Sequence, residues 1–96
     1  MNIYVDRTTI EAKSNHEFFV KEATGLKPNT TRLVTVDEWQ DLQRLQAQEN
    51  PVTLILRDSD TEDTITRPVT SIVTIGELAG YVVVTISFKH IEREEG

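Results

Sequence analysis

The longest run of residues that favours a β-strand covers residues 81–91, whose sequence is YVVVTISFKHI. Successive side chains of a β-strand point to opposite faces. One face of this strand would therefore carry Val82, Val84, Ile86 and Phe88. The other face is apolar at its start and polar towards its end. The pattern predicts a long strand that is buried on both faces in its first half and on one face in its second half.

The segments that precede this strand predict an antiparallel meander. Residues 52–57 and 64–75 are rich in Val, Ile, Leu and Thr, and short polar or glycine-containing connections separate them from each other and from residues 81–91. Pro68 interrupts the middle segment. Because proline lacks a backbone donor, we expect it at a sheet edge or at a bulge.

The first third of the chain predicts further strands. The alternation over residues 2–6 is out of phase with that over residues 8–13, which indicates a turn or a bulge near residues 6–9. Residues 17–23, with two phenylalanines and a valine, are also interpreted as a strand, joined to the previous one by a polar turn. Residues 31–34 are predicted to form a short strand.

One segment has the periodicity of an amphipathic helix. Thr35 is a suitable N-cap, and Glu38 follows at the spacing of a capping box. Pro51 prevents the helix from continuing. We therefore predict a single helix over about residues 36–48 that lies on the sheet. Its apolar stripe consists of Trp39, Leu42 and Leu45.

Together these elements predict one domain over residues 1–96 with an α+β fold that is mainly antiparallel β. The expected architecture is a β-sandwich or a split barrel flanked by the one α-helix. The composition agrees, because Thr, Val and Ile supply 31 of the 96 residues and favour strands. Residues 92–96 are charged and mostly acidic, and are predicted to be a frayed tail.

Charge and composition then restrict the function. The formal net charge is −6, and the ten basic residues are scattered singly, which argues against binding to nucleic acid. The absence of cysteine excludes disulfides and thiolate metal sites. The sequence has no signal-peptide pattern and no apolar stretch of about 20 residues, so we expect no membrane partner.

Residues that usually carry catalysis are sparse and isolated. His16 and His90 are the only histidines, and neither has a metal ligand at local spacing. None of the four serines lies in a nucleophile-elbow motif, and no glycine-rich phosphate loop occurs. The sequence therefore predicts a protein that is not an enzyme and needs no cofactor.

The acidic loop DSDTED, residues 58–63, partly matches a calcium-binding pattern. Asp58, Asp60 and Glu62 fall at its first, third and fifth positions. The sixth position should be glycine and is Asp63, and the twelfth should be glutamate and is Val69. A solvated hairpin loop is the favoured interpretation, and ion binding is left open.

Several apolar residues lie on strand faces opposite the most regular core stripe. Either a second layer of sheet covers them, or they contact other subunits. Both arrangements are compatible with a chain of this size. The residues proposed as interface candidates are Ile55, Ile72, Tyr81 and Val83.

The order of segments over about residues 33–91 carries a family resemblance. A helix with the sequence TVDEWQDLQRLQAQ leads into a strand that ends in an Arg-Asp turn, PVTLILRDSD. A strand containing Arg-Pro-Val follows, ITRPVTSIV, and YVVVTISFKHI closes the order. This order resembles small tail-module proteins of long-tailed bacteriophages, which are related in fold to tail-tube and distal-tail proteins.

The resemblance implies a non-enzymatic structural protein of the virion, assembled in the host cytoplasm. Such a protein would pack against other virion proteins or form a ring or another oligomer with itself. Two alternatives come from other classes. One is a small acidic inhibitor that blocks a basic groove on a host protein. The other is an accessory module that binds a ligand such as a carbohydrate or calcium.

Overall fold

The computed structural model describes residues 3–91, so the predicted frayed tail lies outside the described residues. The described chain contains six strands and two helices. In chain order they are β1 (Ile3–Asp6), β2 (Thr9–Ser14), α1 (His16–Ala23), β3 (Asn29–Val34), α2 (Val36–Ala47), β4 (Thr53–Asp58), β5 (Thr64–Leu78) and β6 (Tyr81–Phe88).

The strands form one sheet in the order β1-β2-β4-β5-β6-β3, curled into a half-barrel. Neighbouring strands are antiparallel except β2 and β4, which are parallel. The predicted α+β class and the antiparallel meander β4-β5-β6 are confirmed. The edges of the sheet are β1 and β3.

Strand β5 links the two halves of the sheet. Residues up to Pro68 pair with β4, and residues from Val69 onward pair with β6. The register shifts between Val69 and Ser71 and again between Thr74 and Gly76. Such bulges bend a strand and increase its twist. They allow one continuous strand to pass through Pro68 and to serve both halves of the half-barrel.

The core lies on one face of this curled sheet and takes side chains from both helices. Phe19 of α1 and Leu42 and Leu45 of α2 belong to the same buried cluster. The predicted inward face of β6 is confirmed, because its four apolar residues are all buried. The strand residues in the cluster are Ile3, Ile10, Ala12, Val34, Leu54, Leu56, Ile72, Val82, Val84, Ile86 and Phe88.

The predicted helix is confirmed as α2, including its capping box. The Thr35 side chain accepts a hydrogen bond from the Glu38 backbone N–H at 3.1 Å, and the Glu38 carboxylate accepts one from the Thr35 N–H at 2.8 Å. Trp39 packs at the margin of the core and donates from Nε1 to Thr74 Oγ1 at 2.9 Å. This indole contact fixes α2 against β5.

Two predictions about the layers of the fold are wrong. Residues 17–23 form most of helix α1 and not a strand, because Asn15 caps the helix by accepting a hydrogen bond from the Phe18 N–H at 2.9 Å. The helix buries only Phe19 and Glu22, which are three residues apart, as helical geometry requires. The sheet is therefore flanked by two helices and not by one.

The second error concerns β6, whose first half was expected to be buried on both faces. Tyr81 at its start is 42% exposed. The helices cover only the core face of the sheet, and the described residues include no second sheet of the kind that a sandwich would contain. No helix or second sheet of the described chain therefore covers the outer face of the sheet.

Candidate interaction surfaces and a buried polar network

The four interface candidates separate into two groups in the structure. Ile55 and Val83 are half-buried and Tyr81 is exposed, all on the outer face of the sheet. Ile72 is 6% exposed and lies in the core opposite Ile86. Its expected orientation is wrong because the bulge after Val69 shifts the alternation by one residue, which turns Ile72 inward.

Several apolar residues lie on the outer face of β5, β6 and β3, towards the β5–β6 hairpin. Tyr81 pairs across the strands with Leu78, and Val83 has Leu33 of β3 as its other neighbour. Leu78 is 61% exposed and Val73 is 52% exposed. We call the residues Leu33, Val73, Leu78, Tyr81 and Val83 the outer apolar patch.

Several strand segments have a free edge within the described chain. Strands β1 and β3 end the sheet, and β5 has only β6 as a strand neighbour from Val69 onward. Helix α2 covers part of the β5 edge, where Gln46 Nε2 donates to the carbonyl of Ile72 at 2.7 Å. Among the described residues, no helix side chain forms such a hydrogen bond with the edge of β1 or β3.

A network of buried polar side chains lies where β3 approaches β2 and α1. Arg32 Nη2 donates to Ser14 Oγ at 2.6 Å, and Ser14 Oγ donates to Glu22 Oε1 at 2.8 Å. Arg32 Nε donates to Thr30 Oγ1 at 2.8 Å, and its Nη1 donates to the carbonyl of Lys13. This side chain joins the edge strand β3 to β2, which is not its neighbour in the sheet.

The electrostatics of the network depend on burial. Glu22 is 1% exposed, and Ser14, Thr30 and Arg32 are also buried. Burial lowers the pKa of the Arg32 guanidinium, whereas the negative charge of Glu22 opposes that change. A buried charge of either sign requires a partner, so the network holds its members together as a unit.

His16 forms an ion pair with Asp58 that the sequence did not suggest. Their Nδ1 and Oδ2 atoms lie 2.6 Å apart. The parallel pairing of β2 with β4 sets Ser14 opposite Asp58, and His16 follows two residues later. Asp58 raises the pKa of His16, first through the hydrogen bond and then through its charge. The pair fixes the start of α1 against the end of β4.

The second carboxylate oxygen of Asp58 organises the acidic loop. Oδ1 accepts from the backbone N–H groups of Asp60 at 2.8 Å and Thr61 at 3.4 Å. Burial alone would raise the pKa of Asp58, but the hydrogen bonds from His16 and from this backbone lower it. Over residues 3–91, no three His, Asp or Glu side chains are grouped so that they could hold a metal ion.

His90, the other histidine, lies beside a turn. Its ring packs against Gly25, which has a φ of 84° and whose missing Cβ makes room for the imidazole. The Nδ1 atom of His90 is buried and has no hydrogen-bond partner among the described residues. His90 therefore packs against the loop that precedes β3. It is not a member of the pair formed by His16 and Asp58.

No protein-family model matches this chain, and comparisons with curated proteins and with solved structures give no significant match.

Neither helix of the described chain is long and apolar enough to cross a membrane.

Proposed function

We propose that this chain is a non-enzymatic structural protein of a phage particle, a tail module that acts by packing against other virion proteins or copies of itself. The observation that carries the proposal is the outer apolar patch. A chain with a net charge of −6 exposes Val73, Leu78 and Tyr81 together on one face of its sheet. Apolar groups clustered in this way mark interaction sites on soluble proteins.

The strand edges support the same proposal. A free edge presents unpaired N–H and C=O groups that can pair with a strand of another chain. Leu33 places part of the outer apolar patch on the edge strand β3 itself. A partner could therefore bury apolar side chains and gain backbone hydrogen bonds in one contact. The resemblance of residues 33–91 to tail modules supports a phage tail as the particle in which such contacts would occur.

Self-assembly is tested by sedimentation velocity and light scattering over a wide concentration range. The variant Val73→Lys/Leu78→Lys places two charges in the outer apolar patch and should dissociate any oligomer without unfolding the chain, since both side chains are exposed. Tyr4→Lys is a control that adds one charge elsewhere, because Tyr4 is also exposed but lies on β1, outside the patch. Equal effects of the two variants would contradict a role for the patch.

A wild-type chain that stays monomeric would leave docking on other virion proteins as the mode of assembly. Mass spectrometry of purified virions and of proteins pulled down with the chain tests that mode. We expect the chain among the virion proteins. Recovery only in a complex with a host nuclease would overturn the proposal and favour an acidic inhibitor.

A further inference from the structure

A cleft of about 400 Å³ lies along the free edge of β3. Three consecutive residues of that strand line it, Thr30, Thr31 and Arg32. Consecutive strand residues point to opposite faces, so a cleft that contacts all three lies at the edge of the strand. The other edge of β3 pairs with β6, which leaves the free edge as the wall of the cleft.

The opposite wall comes from the end of β2 and the start of α1. Lys13 and Asn15 line it, together with the ring of the half-exposed Phe18. Lys27 extends over that ring, with its Nζ 4.6 Å from the ring centroid. The cleft thus combines a strand edge, an aromatic wall and two lysines.

The charge of this cleft is opposite to that of the whole chain. Lys13, Lys27 and Arg32 line it, in a chain with a net charge of −6. Neither lysine forms an ion pair with another described residue. The one acidic residue of the lining, Glu22, is buried and accepts a hydrogen bond from Ser14. The two lysines therefore remain available to an anionic partner.

We propose that this cleft binds an extended acidic segment of a partner protein, which pairs with the free edge of β3 and sets its carboxylates against Lys13 and Lys27. The strand edge selects an extended backbone, and the lysines select acidic side chains. This inference deepens the proposed function, on which it rests, because it assigns one contact of the assembly and the chemistry of the partner.

The test uses a fluorescein-labelled decapeptide of alternating Glu and Thr. We expect saturable binding by fluorescence anisotropy, weakened by added salt. Lys13→Glu/Lys27→Glu should raise the Kd at least tenfold. Lys89→Glu, a reversal of one charge outside the cleft, should change it less than twofold. In a ¹⁵N-labelled sample, the largest amide shifts should fall in β3 and at residues 13–15.

Two further peptides separate the strand pairing from the charge. The same peptide with every backbone nitrogen methylated keeps its carboxylates but cannot donate backbone hydrogen bonds from either edge, and should bind at least tenfold more weakly. A Lys-Thr decapeptide should not bind. Equal binding of all three peptides, or no binding of the Glu-Thr peptide, would overturn the inference.

The same measurements would also reveal a different role for Lys13 and Lys27. Lysines beside an open edge can prevent sheets from joining. If Lys13→Glu/Lys27→Glu self-associates and the wild type binds no peptide, the lysines protect the edge and the inference is wrong. The assembly test on Val73 and Leu78 concerns the outer face and not this cleft, so failure of the peptide test leaves the proposed function standing.

Discussion

The pair of His16 and Asp58 should make stability depend on pH in a defined window. The pKa of His16 is raised above its ordinary value of 6.5, so its contribution is complete below that pH and is lost as the pH rises through the folded-state pKa. The pKa of Asp58 is lowered from 3.8, so its contribution is lost as the pH falls through the lower folded-state value. The pair therefore stabilises the fold most between about pH 4 and 6.5.

The variant His16→Gln tests this window. Urea unfolding followed by the fluorescence of Trp39 should show a larger loss of stability at pH 5.5 than at pH 8.5, where wild-type His16 has lost part of its charge. The variant is compared with the wild type at each pH, which removes the titration of the groups that both proteins share from the difference. An equal loss at both pH values would show that the ion pair adds nothing to the hydrogen bond.

Val84 tests the inward face of β6. Its side chain is 0% exposed, and Val84→Asp would place a carboxylate in the core without a partner. We expect a loss of about 3–5 kcal/mol, comparable to breaking a buried ion pair, which would unfold a domain of marginal stability. Thr85→Asp on the outer face of the same strand is the control, and circular dichroism should show that it remains folded.

Residue-level prediction from sequence succeeded where the alternation is uninterrupted and failed at a bulge. The faces of Val82, Val84 and Ile86 follow from a period of two. Ile72 turned inward because an extra residue lies between Val69 and Ser71. The bulge follows Pro68 closely, so the proline indicated the irregularity but not the direction in which the next side chains would turn.

At the scale of elements, the sequence indicates helix α2 more clearly than helix α1. Helix α2 has a full capping box and an apolar stripe with period 3.6, and was predicted. Helix α1 has eight residues and an apolar run, Phe18, Phe19 and Val20, that also fits a strand. The deciding signal was Asn15, whose side chain accepts the Phe18 N–H. Asparagine suits both a turn and an N-cap, which explains the error.

The loop between β4 and β5 should not respond to calcium. Asp58 would be the first ligand of a calcium loop, but both of its carboxylate oxygens already accept hydrogen bonds, from His16 and from the backbone of Asp60 and Thr61. We expect no change in melting temperature when millimolar calcium is added, measured against magnesium as a control. A rise with calcium alone would mean that the loop rearranges to bind the ion.

At the scale of the whole molecule, Arg32 links two parts of a sheet that does not close. It should be coupled energetically to Glu22 through Ser14. Arg32→Met leaves Glu22 buried without its cationic partner, and we expect it to lower the free energy of unfolding by about 3–5 kcal/mol. Arg32→Met/Glu22→Met removes both charges and should recover most of that loss.

A double-mutant cycle from urea unfolding measures this coupling, with Glu22→Met alone completing the cycle. Additive losses would show that Arg32 and Glu22 act independently. The sequence contained one indication of this network. Thr30, Arg32 and Val34 are alternate residues of one strand and so share a face, and Val34 is an obvious core residue. The partners Ser14 and Glu22 could not be found in that way, because their proximity arises only when the sheet curls.

The parallel pairing of β2 with β4 also has a consequence for the order in which the chain can fold. The β1–β2 hairpin forms from neighbouring residues, but an isolated hairpin is barely stable in water. Its partner β4 emerges from the ribosome only after α1, β3 and α2, whereas β4, β5 and β6 pair in the order of their synthesis. Pairings between distant segments slow folding. We therefore expect the hairpin that begins the described chain to join the sheet late, only after β4 has been synthesised.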